Sequence, residues 1–539
     1  MRPLPQLTPF NEWFWTAGAD GTLRIQQCDD CATRVHPPSP ICPECHSANW
    51  SANPVSGRGT VVGFTVNARQ WLADFEPPYV IANVALQDDP SIHLTTNIVG
   101  CEPGDVSIGD VVTVRFEAQD DVWFPLFEPT GQTDPVDRVP EPTRPLPRPP
   151  LSGRRFEQDA VLSGIGASHM GRRLMRNPLS LTMDACLAAI EDAGLTLDDI
   201  DGLSTYPGPG PMGMSEGGVE AVVEALRIQP TWINGGMELP GPGGSVIAAM
   251  TAVSAGLCRH VLCFRTVWET TYAQLGLIGG GGRVSGPIME WRAPFGAMSA
   301  AHWIAMNASQ YMHRYGATRE MLGAIALNGR RNAGLNPNAI YREPMTMDDY
   351  MDARPITTPF GLYDCDVPCD ASIAVIVSDA SVAADLPHPA VHVEAVGTQI
   401  LERISWDQDT LTHEPQVLGQ SAHLWTRTDL RPADVDVAML YDGFTFNAVS
   451  WLEGLGFCGL GEAQDWLEDG KRIALDGDVA VNPHGGQLSE GRTHGFGFIR
   501  EAVTQLRHDA GERQVADART AVVTSGGGTP SGVLLLRRD

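Results

Sequence analysis

Lysine is nearly absent from the sequence. The 37 basic residues include a single lysine, Lys471, and the others are arginines. An enzyme that forms a Schiff base with a carbonyl substrate needs a lysine amine in a desolvated place. Lys471 lies in the charged segment 467–472, where the amine keeps its charge and its water. The sequence therefore argues against Schiff-base chemistry.

Positive charge and long apolar runs are also scarce. The 65 acidic residues outweigh the basic ones and give a net charge of −28, so we expect no nucleic-acid partner. No apolar run reaches about 18 residues, and the N-terminus has no charged segment followed by an apolar one. We therefore expect no membrane span and a cytoplasmic protein. A length of 539 residues predicts two or three domains.

Four of the eleven cysteines lie in the first fifty residues. Cys28 and Cys31 form one CxxC pair, and Cys42 and Cys45 form another. Four thiolates at this spacing can surround Zn²⁺ as a tetrahedron and leave no open coordination position, so the metal is expected to be structural. A redox-active pair is the alternative interpretation. The remaining cysteines are scattered, which is typical of reduced thiols.

Short runs rich in Val, Ile and Thr follow the cysteines. They predict strands at 59–67, 79–86, 94–99 and 111–116, and such a cluster favours a small barrel such as an OB-fold. Nine prolines between residues 125 and 150 predict an extended spacer. The predicted units are an N-terminal helical segment with a zinc ribbon at 1–50, an OB barrel at 51–128 and a proline-rich linker at 129–157.

The rest of the chain alternates helix-like and strand-like segments, which is typical of an α/β fold. It also contains a repeat. Residues 197–206 match residues 432–441 in pattern, and Asp201 corresponds to Asp436. A unit repeated at half-length predicts two similar halves, at 158–388 and 389–539.

Glycine-rich motifs in this second module resemble those of thiolases. They are Tyr441-Asp-Gly-Phe444, Asn482-Pro-His-Gly-Gly486, Gly491-Arg-Thr-His-Gly495 and Ser525-Gly-Gly-Gly528. Residues 291–296, 311–316 and 364–370 look like the branch of non-specific lipid-transfer and sterol-carrier thiolases. The resemblance covers 158–539 and implies a five-layer thiolase fold of two duplicated α/β halves, assembled as a homodimer. Residues 1–130 resemble the ribbon/OB proteins that accompany thiolase-like enzymes as acyl-CoA-associated partner subunits.

The chain departs from condensing thiolases at their catalytic positions. A thiolase carries a nucleophilic cysteine at a helix N-terminus, where backbone N–H groups also hold the thioester oxyanion. The matching segment, 238–247, has no cysteine, and Thr524 and Ser525 replace the second thiolase cysteine. Tyr441 replaces the histidine of a third motif. We therefore expect no covalent acyl-enzyme, and Ser245 is either a substitute nucleophile or a helix N-cap.

What remains is a site that can polarise a thioester. Gly243, Gly244 and Ser245 are expected to leave backbone N–H groups free for an enolate oxygen. A thioester enolate formed without a covalent nucleophile is the intermediate of a retro-aldol cleavage. Thiolase-like proteins with a tyrosine at this position and a ribbon/OB partner resemble the retro-aldolases of steroid side-chain degradation. The resemblance implies cleavage of a sterol-derived β-hydroxyacyl-CoA into a ketone and propionyl-CoA or acetyl-CoA, with CoA as part of the substrate.

The same resemblance suggests roles for individual residues. Tyr441 is predicted to transfer a proton. His484 and His494 are predicted to line the pocket from glycine-rich loops. Glu490 is expected to carry a second proton, and Arg492 to orient Glu490 or to bind a CoA phosphate.

Several interpretations stay open. Asp442 is either a functional carboxylate or the cap of a helix beginning at Phe444, and residues 279–282 predict a flexible flap. The chain could also be a non-catalytic carrier of acyl-CoA or lipid, or an acyltransferase with an unconventional nucleophile.

Overall fold

A computed structural model describes the chain apart from a set of short segments. The residues outside the description are 135–138, 140, 145, 151, 152, 207–214, 216, 237–240, 278–282, 287, 288, 404, 409, 469, 527–531 and 539, and only the backbone is described at 241 and 242. The predicted flap at 279–282 and parts of the predicted linker lie outside the described residues.

The chain begins with a short helix and a three-stranded antiparallel sheet. The elements are α1 (Glu12–Trp15), β1 (Arg24–Cys28), β2 (Arg34–Val35) and β3 (Trp50–Pro54). Strand β1 lies in the centre of the sheet. Cys28 ends β1, and the other three cysteines of the CxxC pairs lie in the turns between strands.

Five strands then close a barrel, as the OB-fold prediction requires. They are β4 (Arg58–Asn67), β5 (Tyr79–Leu86), β6 (His93–Ile98), β7 (Asp110–Gln119) and β8 (Val122–Thr133). Their order is β4-β5-β6-β8-β7, and β7 pairs back with β4. The sequence did not predict β8, because Pro125 and Pro129 argue against a strand. Both prolines nevertheless lie in the ladder with β7, and β8 continues past the predicted boundary at residue 128.

The second module supplies the remaining strands. They are β9 (Ala160–Ala167), β10 (Gly202–Thr205), β11 (Trp232–Gly235), β12 (His260–Trp268), β13 (Pro355–Thr357), β14 (Phe360–Gly361), β15 (Asp370–Asp379), β16 (Val391–Gly397), β17 (Val437–Met439), β18 (Ala480–Val481), β19 (Thr520–Ser525) and β20 (Gly532–Arg537). Ten of these strands form one sheet, in the order β11-β10-β12-β15-β9-β16-β20-β19-β17-β18.

The sheet shows that the module is a duplication. The order β11-β10-β12-β15-β9 in the first half corresponds, strand for strand, to β18-β17-β19-β20-β16 in the second. In each half the first three strands named are parallel and the last two are antiparallel to their neighbours. The halves join where β9 pairs antiparallel with β16.

Asp201 and Asp436, matched in the sequence repeat, make equivalent hydrogen bonds in the two halves. Asp201 accepts hydrogen bonds from the backbone N–H groups of Arg259 and His260, where β12 begins. Asp436 accepts them from Arg519 and Thr520, where β19 begins. Each aspartate thus satisfies exposed backbone donors at the start of the neighbouring parallel strand. The repeat therefore preserves a structural carboxylate.

Helices cover the sheet in three layers. They are α2 (Pro178–Asp192), α3 (Gly218–Leu226), α4 (Gly241–Ser254), α5 (Glu269–Gln274), α6 (Ala300–Tyr315), α7 (Arg319–Gly334), α8 (Met347–Met351), α9 (Val417–Leu424), α10 (Thr445–Leu455), α11 (Ala463–Trp466), α12 (Gly486–Ser489) and α13 (Phe496–Leu506). Helices α4 and α13 contact strands of both halves, whereas α2 packs on the first half and α9 on the second. The two halves of the sheet, joined at β9 and β16, count as two layers, and with the three helix layers they give the five layers of the thiolase fold. Within the described residues, no helix is both long enough and apolar enough to cross a membrane.

The proline-rich segment does not hold the two modules apart. Strand β13 joins the barrel sheet, with Thr357 opposite Asn67 of β4. Trp15 stacks on Trp291 of the second module, with ring centroids 5.2 Å apart, and both rings are buried. Burial of large aromatic rings strongly favours this contact. The modules therefore dock against each other, where the sequence suggested a separating tether.

Candidate active site

The four predicted zinc ligands meet in the ribbon. The sulfur atoms of Cys28 and Cys45 lie 3.5 Å apart, as do those of Cys31 and Cys42, and all four lie within 4.8 Å of one another. Zinc–sulfur bonds of about 2.3 Å in a tetrahedron place the sulfur atoms about 3.8 Å apart. The thiolates therefore fit one zinc ion. Four ligands complete its shell, so the zinc is structural.

Tyr441 follows β17 and lies at the centre of the candidate active site. Its backbone N–H donates to Oγ1 of Thr524 at 2.7 Å, which ties it to β19. The residue is only 4% exposed, and its ring meets Phe498 edge-on. The ring also covers Gly443, where a Cβ atom would lie 2.8 Å from Cε1 of the tyrosine. Glycine at 443 therefore makes room for the tyrosine.

The surroundings of Tyr441 keep its hydroxyl protonated. Burial raises the pKa of Tyr441 well above its ordinary value, and the carboxylates of Asp366 and Glu414 raise it further. Gln487 and Arg492 act on this pKa in the opposite direction. At neutral pH the side chain is a phenol, so it is suited to give a proton rather than to take one.

Arg492 binds two carboxylates near Tyr441. Its Nε atom lies 3.0 Å from Oε2 of Glu269, and Nη1 lies 3.2 Å from Oδ1 of Asp366. Burial raises the pKa of Asp366 to about 7, and Glu269 acts in the same direction while Arg492 opposes the shift. We expected Arg492 to contact Glu490 or a CoA phosphate. Two carboxylates already neutralise its charge. Arg492 instead forms a cluster with Glu269, Asp366 and Tyr441, which we call the Tyr441 cluster.

His494 lies next to the same cluster. Its backbone N–H donates to Oε1 of Gln487 at 2.7 Å, and its Nδ1 atom is in hydrogen-bond contact with Arg265. Burial lowers the pKa of His494 well below its ordinary value, and the charges of Arg265 and Arg492 lower it further. The imidazole is therefore neutral, and it is available for hydrogen bonding rather than for carrying positive charge.

Gln487 joins this group to Asp442. The backbone N–H of Gln487 donates to Oδ1 of Asp442 at 2.8 Å, and Nδ2 of Asn482 lies 3.1 Å from Oδ2. Burial raises the pKa of Asp442 to about 8. Asp442 does not cap α10, which begins at Thr445. The N–H of Phe444 donates instead to the side chain of Asn447 at 2.8 Å.

His484 and Glu490 form a separate pair. Nε2 of His484 lies 3.5 Å from Oε2 of Glu490, and Oε1 of Glu490 accepts a hydrogen bond from Asn336 at 2.9 Å. Burial raises the pKa of Glu490 to about 7 and lowers that of His484 well below its ordinary value. The ring of Phe498 contacts both His484 and Tyr441 edge-on. The pair is thus joined to Tyr441 through an aromatic ring.

The predicted oxyanion segment lies at the start of α4. The first N–H groups of a helix have no acceptor within it, and Gly243 belongs to this first turn. A Cβ atom at Gly243 would lie 3.2 Å from Oγ of Ser525. Because Ser525 follows Thr524, the helix start lies close to the loop of Tyr441. Ser245 is not the N-cap, since α4 begins four residues earlier, and Ser245 is buried with its carbonyl bonded to Ser204.

Four cysteines of the second module are not nucleophiles. Burial raises the pKa of Cys258 to about 12 and also raises the pKa of Cys263, Cys365 and Cys369. The thiolate is the reactive form of cysteine. These thiols therefore remain protonated and cannot take the place of the missing thiolase cysteine.

Sequence reasoning did not single out Asp366, Glu269, Arg265 or Gln487. One signal was available for Arg265, because it is a charged residue inside the otherwise apolar strand β12. An arginine in such a strand needs a specific partner. No comparable signal marks Asp366 or Gln487, since each lies among other polar residues.

Three family models match the chain. The model described as "ChsH2, rubredoxin-like zinc ribbon domain" matches residues 15–51, and "ChsH2, C-terminal OB-fold domain" matches residues 52–117. "Thiolase C-terminal domain-like" matches residues 401–536. These matches agree with the ribbon, the barrel and the second half of the thiolase-like module.

Relatives match the thiolase-like module over nearly their whole length. The "Steroid side-chain-cleaving aldolase" of Thermomonospora curvata is 34% identical over 390 residues, which cover 70% of this chain and 98% of the relative. The "17-hydroxy-3-oxo-4-pregnene-20-carboxyl-CoA lyase" of Mycobacterium tuberculosis is 34% identical over 395 residues, with coverage of 70% and 98%.

A solved structure gives the same result. The "Ltp2-ChsH2(DUF35) aldolase" superposes with a TM-score of 0.63 at 33% identity, covering 71% of this chain and 98% of that chain. Sequence similarity and fold thus agree, and the chain belongs to the family of steroid side-chain-cleaving aldolases, with a zinc ribbon and an OB-fold domain preceding the thiolase-like module.

Proposed function

We propose that this chain is a carbon–carbon lyase that cleaves a steroid side-chain CoA thioester by a retro-aldol reaction. The observation that carries the proposal is Tyr441, a buried phenol at the position where a condensing thiolase has a histidine. The family relationship supports the same reaction. A condensing mechanism would need a thiolate, and burial raises the pKa of the thiols of Cys258, Cys263, Cys365 and Cys369.

The substrate we propose is 17-hydroxy-3-oxo-4-pregnene-20-carboxyl-CoA or a close analogue. The name of the mycobacterial relative contains this compound. Its 17-hydroxyl group is β to the thioester carbonyl. Loss of the hydroxyl proton and cleavage of the bond between C17 and C20 leave a 17-ketone and the enolate of propionyl-CoA. Protonation of that enolate completes the reaction without an acyl-enzyme.

The residues have separate tasks in this proposal. Tyr441 gives its phenolic proton to the enolate carbon. The free N–H groups in the first turn of α4, at Gly243, hold the thioester oxygen as negative charge develops on it. His494 lines the pocket and donates a hydrogen bond. His484 and Glu490 support the loop from behind Phe498, and we place them as positioning residues.

The test is direct. The purified full chain is incubated with 17-hydroxy-3-oxo-4-pregnene-20-carboxyl-CoA, and the products are followed by mass spectrometry. Release of the 17-ketone and propionyl-CoA in equal amounts is expected. Intact thioester that co-elutes with the protein would favour a carrier, and an acyl adduct on the protein would favour an acyltransferase. Either result would contradict the lyase proposal.

We also propose a homodimer formed through the edge of the ten-stranded sheet. Strand β11 ends the sheet, and among the described residues it pairs only with β10. Ile233 on this strand is 50% exposed. An unpaired strand edge is a template for a second copy. Sedimentation velocity should give a dimer, and Ile233→Lys should shift it towards monomer.

We further propose a cytoplasmic location. The eleven cysteines are free of disulfides, and four of them fit a zinc site. Thiols in this state are typical of a reducing compartment. Fractionation of the source cells with an antibody against the chain would test this.

A further inference from the structure

The proposed reaction needs a base for the hydroxyl proton, and the protonated phenol of Tyr441 is unsuited to that task. The candidates are buried carboxyl groups of the site whose pKa is raised towards neutrality by burial, namely Asp366, Asp442 and Glu490. Glu414 also acts on Tyr441, but its Oε2 atom accepts a hydrogen bond from Nδ2 of Asn447 at 2.7 Å. Geometry distinguishes them.

Asp366 is fixed to the loop that carries Tyr441. Its backbone N–H donates to the carbonyl of Gly443 at 3.0 Å, and its neighbour Cys365 forms an isolated β-bridge with Phe444. Gly443 is the residue covered by the ring of Tyr441. These backbone contacts therefore hold the chain segment of Asp366 against the loop of the tyrosine.

Arg492 holds the two carboxylates of the cluster unequally. Glu269 is contacted by both Nε and Nη2, whereas Asp366 is contacted by Nη1 alone, at 3.2 Å. Among the described side chains, Arg492 forms the ion pair with the Asp366 carboxylate, whose side chain is 7% exposed. One guanidinium cannot fully neutralise two carboxylates, so the less tightly held one is the better place for a proton.

The other two carboxyl groups are occupied. Asp442 accepts hydrogen bonds on both oxygens, from the backbone of Gln487 and from the side chain of Asn482. Glu490 faces His484 and Asn336. Both groups hold loops together, and a group that does so is poorly placed to exchange protons with a substrate.

We propose that Asp366 is the catalytic base of this lyase, held by Arg492 in the Tyr441 cluster. The inference rests on the proposed function. The Asp366 carboxylate takes the proton of the β-hydroxyl group. The O–H electron pair forms the ketone carbonyl, the Cα–Cβ bond breaks, and its electron pair becomes the thioester enolate. Tyr441 gives its proton to Cα, and the protonated Asp366 returns a proton to the phenolate. No external oxidant, reductant or acid is consumed.

The ionisation of Asp366 suits this work. Burial raises its pKa to about 7; Arg492 lowers this pKa, and Glu269 raises it to a smaller extent. The other ionisable groups that interact with it are Tyr441, Asp442 and Cys365. A base with a pKa near the working pH is the most effective proton acceptor.

The experiment compares pH profiles of kcat/KM for cleavage of 17-hydroxy-3-oxo-4-pregnene-20-carboxyl-CoA by the full chain. Asp366→Asn should lower kcat by about 10²–10⁴-fold, leave KM within about threefold, and abolish the acidic limb of the profile. Asp348→Asn, an exposed carboxyl on α8, is the matched control and should keep the wild-type profile. Thermal unfolding of each variant checks the fold.

Glu269→Gln keeps the inference testable if Asp366→Asn does not fold. Without the Glu269 carboxylate, Arg492 pairs with Asp366 alone, and the pKa of Asp366 should fall. The acidic limb of the pH profile should therefore move to lower pH. If both variants cleaved the substrate at the wild-type rate with an unchanged acidic limb, the role of Asp366 would be overturned and the lyase function would still stand. Failure of the wild type to release a ketone would overturn both.

Discussion

Nη2 of Arg265 lies 2.6 Å from Nδ1 of His494. A guanidinium can only donate, so Nδ1 of the imidazole is the acceptor. A neutral imidazole then carries its proton on Nε2. Arg265 thus determines the tautomer of His494 and makes Nε2 a hydrogen-bond donor. This places a neutral donor, rather than a base, next to the Tyr441 cluster.

Replacing His494 by alanine should therefore remove a donor and not a titrating group. We expect kcat to fall by about 10²–10³-fold, as for the loss of one oxyanion donor. The acidic limb of the pH profile should stay where it is, because burial and two arginines keep the pKa of His494 well below its ordinary value. Steady-state kinetics across pH measure this. The exposed His508→Asn variant serves as control, and loss of the acidic limb in His494→Ala would contradict the tautomer assignment.

Tyr441→Phe should remove the proton donor while keeping the ring. A loss of about 10²–10⁴-fold in kcat is expected for one proton-transfer group. The melting temperature should change little, because the ring contact with Phe498 persists. Tyr341→Phe, whose ring lies over Arg330 outside the cluster, is the control. Cleavage by Tyr441→Phe at the wild-type rate would show that the phenol transfers no proton.

Gly243→Ala should separate activity from stability. Alanine is the better helix former, so the variant should unfold at the same temperature as the wild type or slightly higher. Its methyl group would lie 3.2 Å from Oγ of Ser525 and crowd the helix start. We expect kcat to fall by about tenfold or more. Turnover and thermal melting measured on the same preparation test this, and an unchanged kcat would place the thioester oxygen elsewhere.

Zinc should be needed for the fold and not for the chemistry. Metal analysis should give one zinc per chain, and Cys42→Ser should lose it and melt at a lower temperature, because structural zinc contributes directly to folding. Cys101→Ser, which lies outside the cluster, should retain the metal. At temperatures where the Cys42→Ser variant remains folded, kcat should stay within about threefold of wild type. Loss of turnover in a folded, zinc-free variant would give the metal a catalytic part.

Glu490 should make stability depend on pH. Its pKa is about 7 in the fold, above the ordinary value of about 4.3 for an unfolded chain. The group therefore favours folding at low pH, and this contribution is lost as pH rises through about 7. Glu490→Gln removes the titration, so the melting temperature of wild type minus variant should be larger at pH 5 than at pH 8. The exposed Glu343→Gln variant should give a constant difference.

Local sequence patterns predicted much of the architecture. The zinc ligands follow from the spacing of two CxxC pairs, and four barrel strands follow from β-branched runs between turn residues. The repeat that matches Asp201 with Asp436 predicted two similar halves, and the structure shows the same strand order in both. Each of these inferences depends on residues close in sequence or on a pattern that recurs. Strand β8 was missed because its prolines are tolerated only by pairings that the sequence does not reveal.

The chemistry of the site depended on contacts between distant residues. Arg492 is 126 residues from Asp366 and 223 from Glu269, and His494 is 229 residues from Arg265. Which carboxylate meets which cation, and which imidazole nitrogen keeps its proton, follow from the strand order and from burial. Sequence patterns alone were enough to infer the zinc ribbon, the duplicated α/β module and the loss of the thiolase nucleophile. The partners of Arg492 and His494 became known only from the folded chain, because charge pairing and desolvation act between groups that folding brings together.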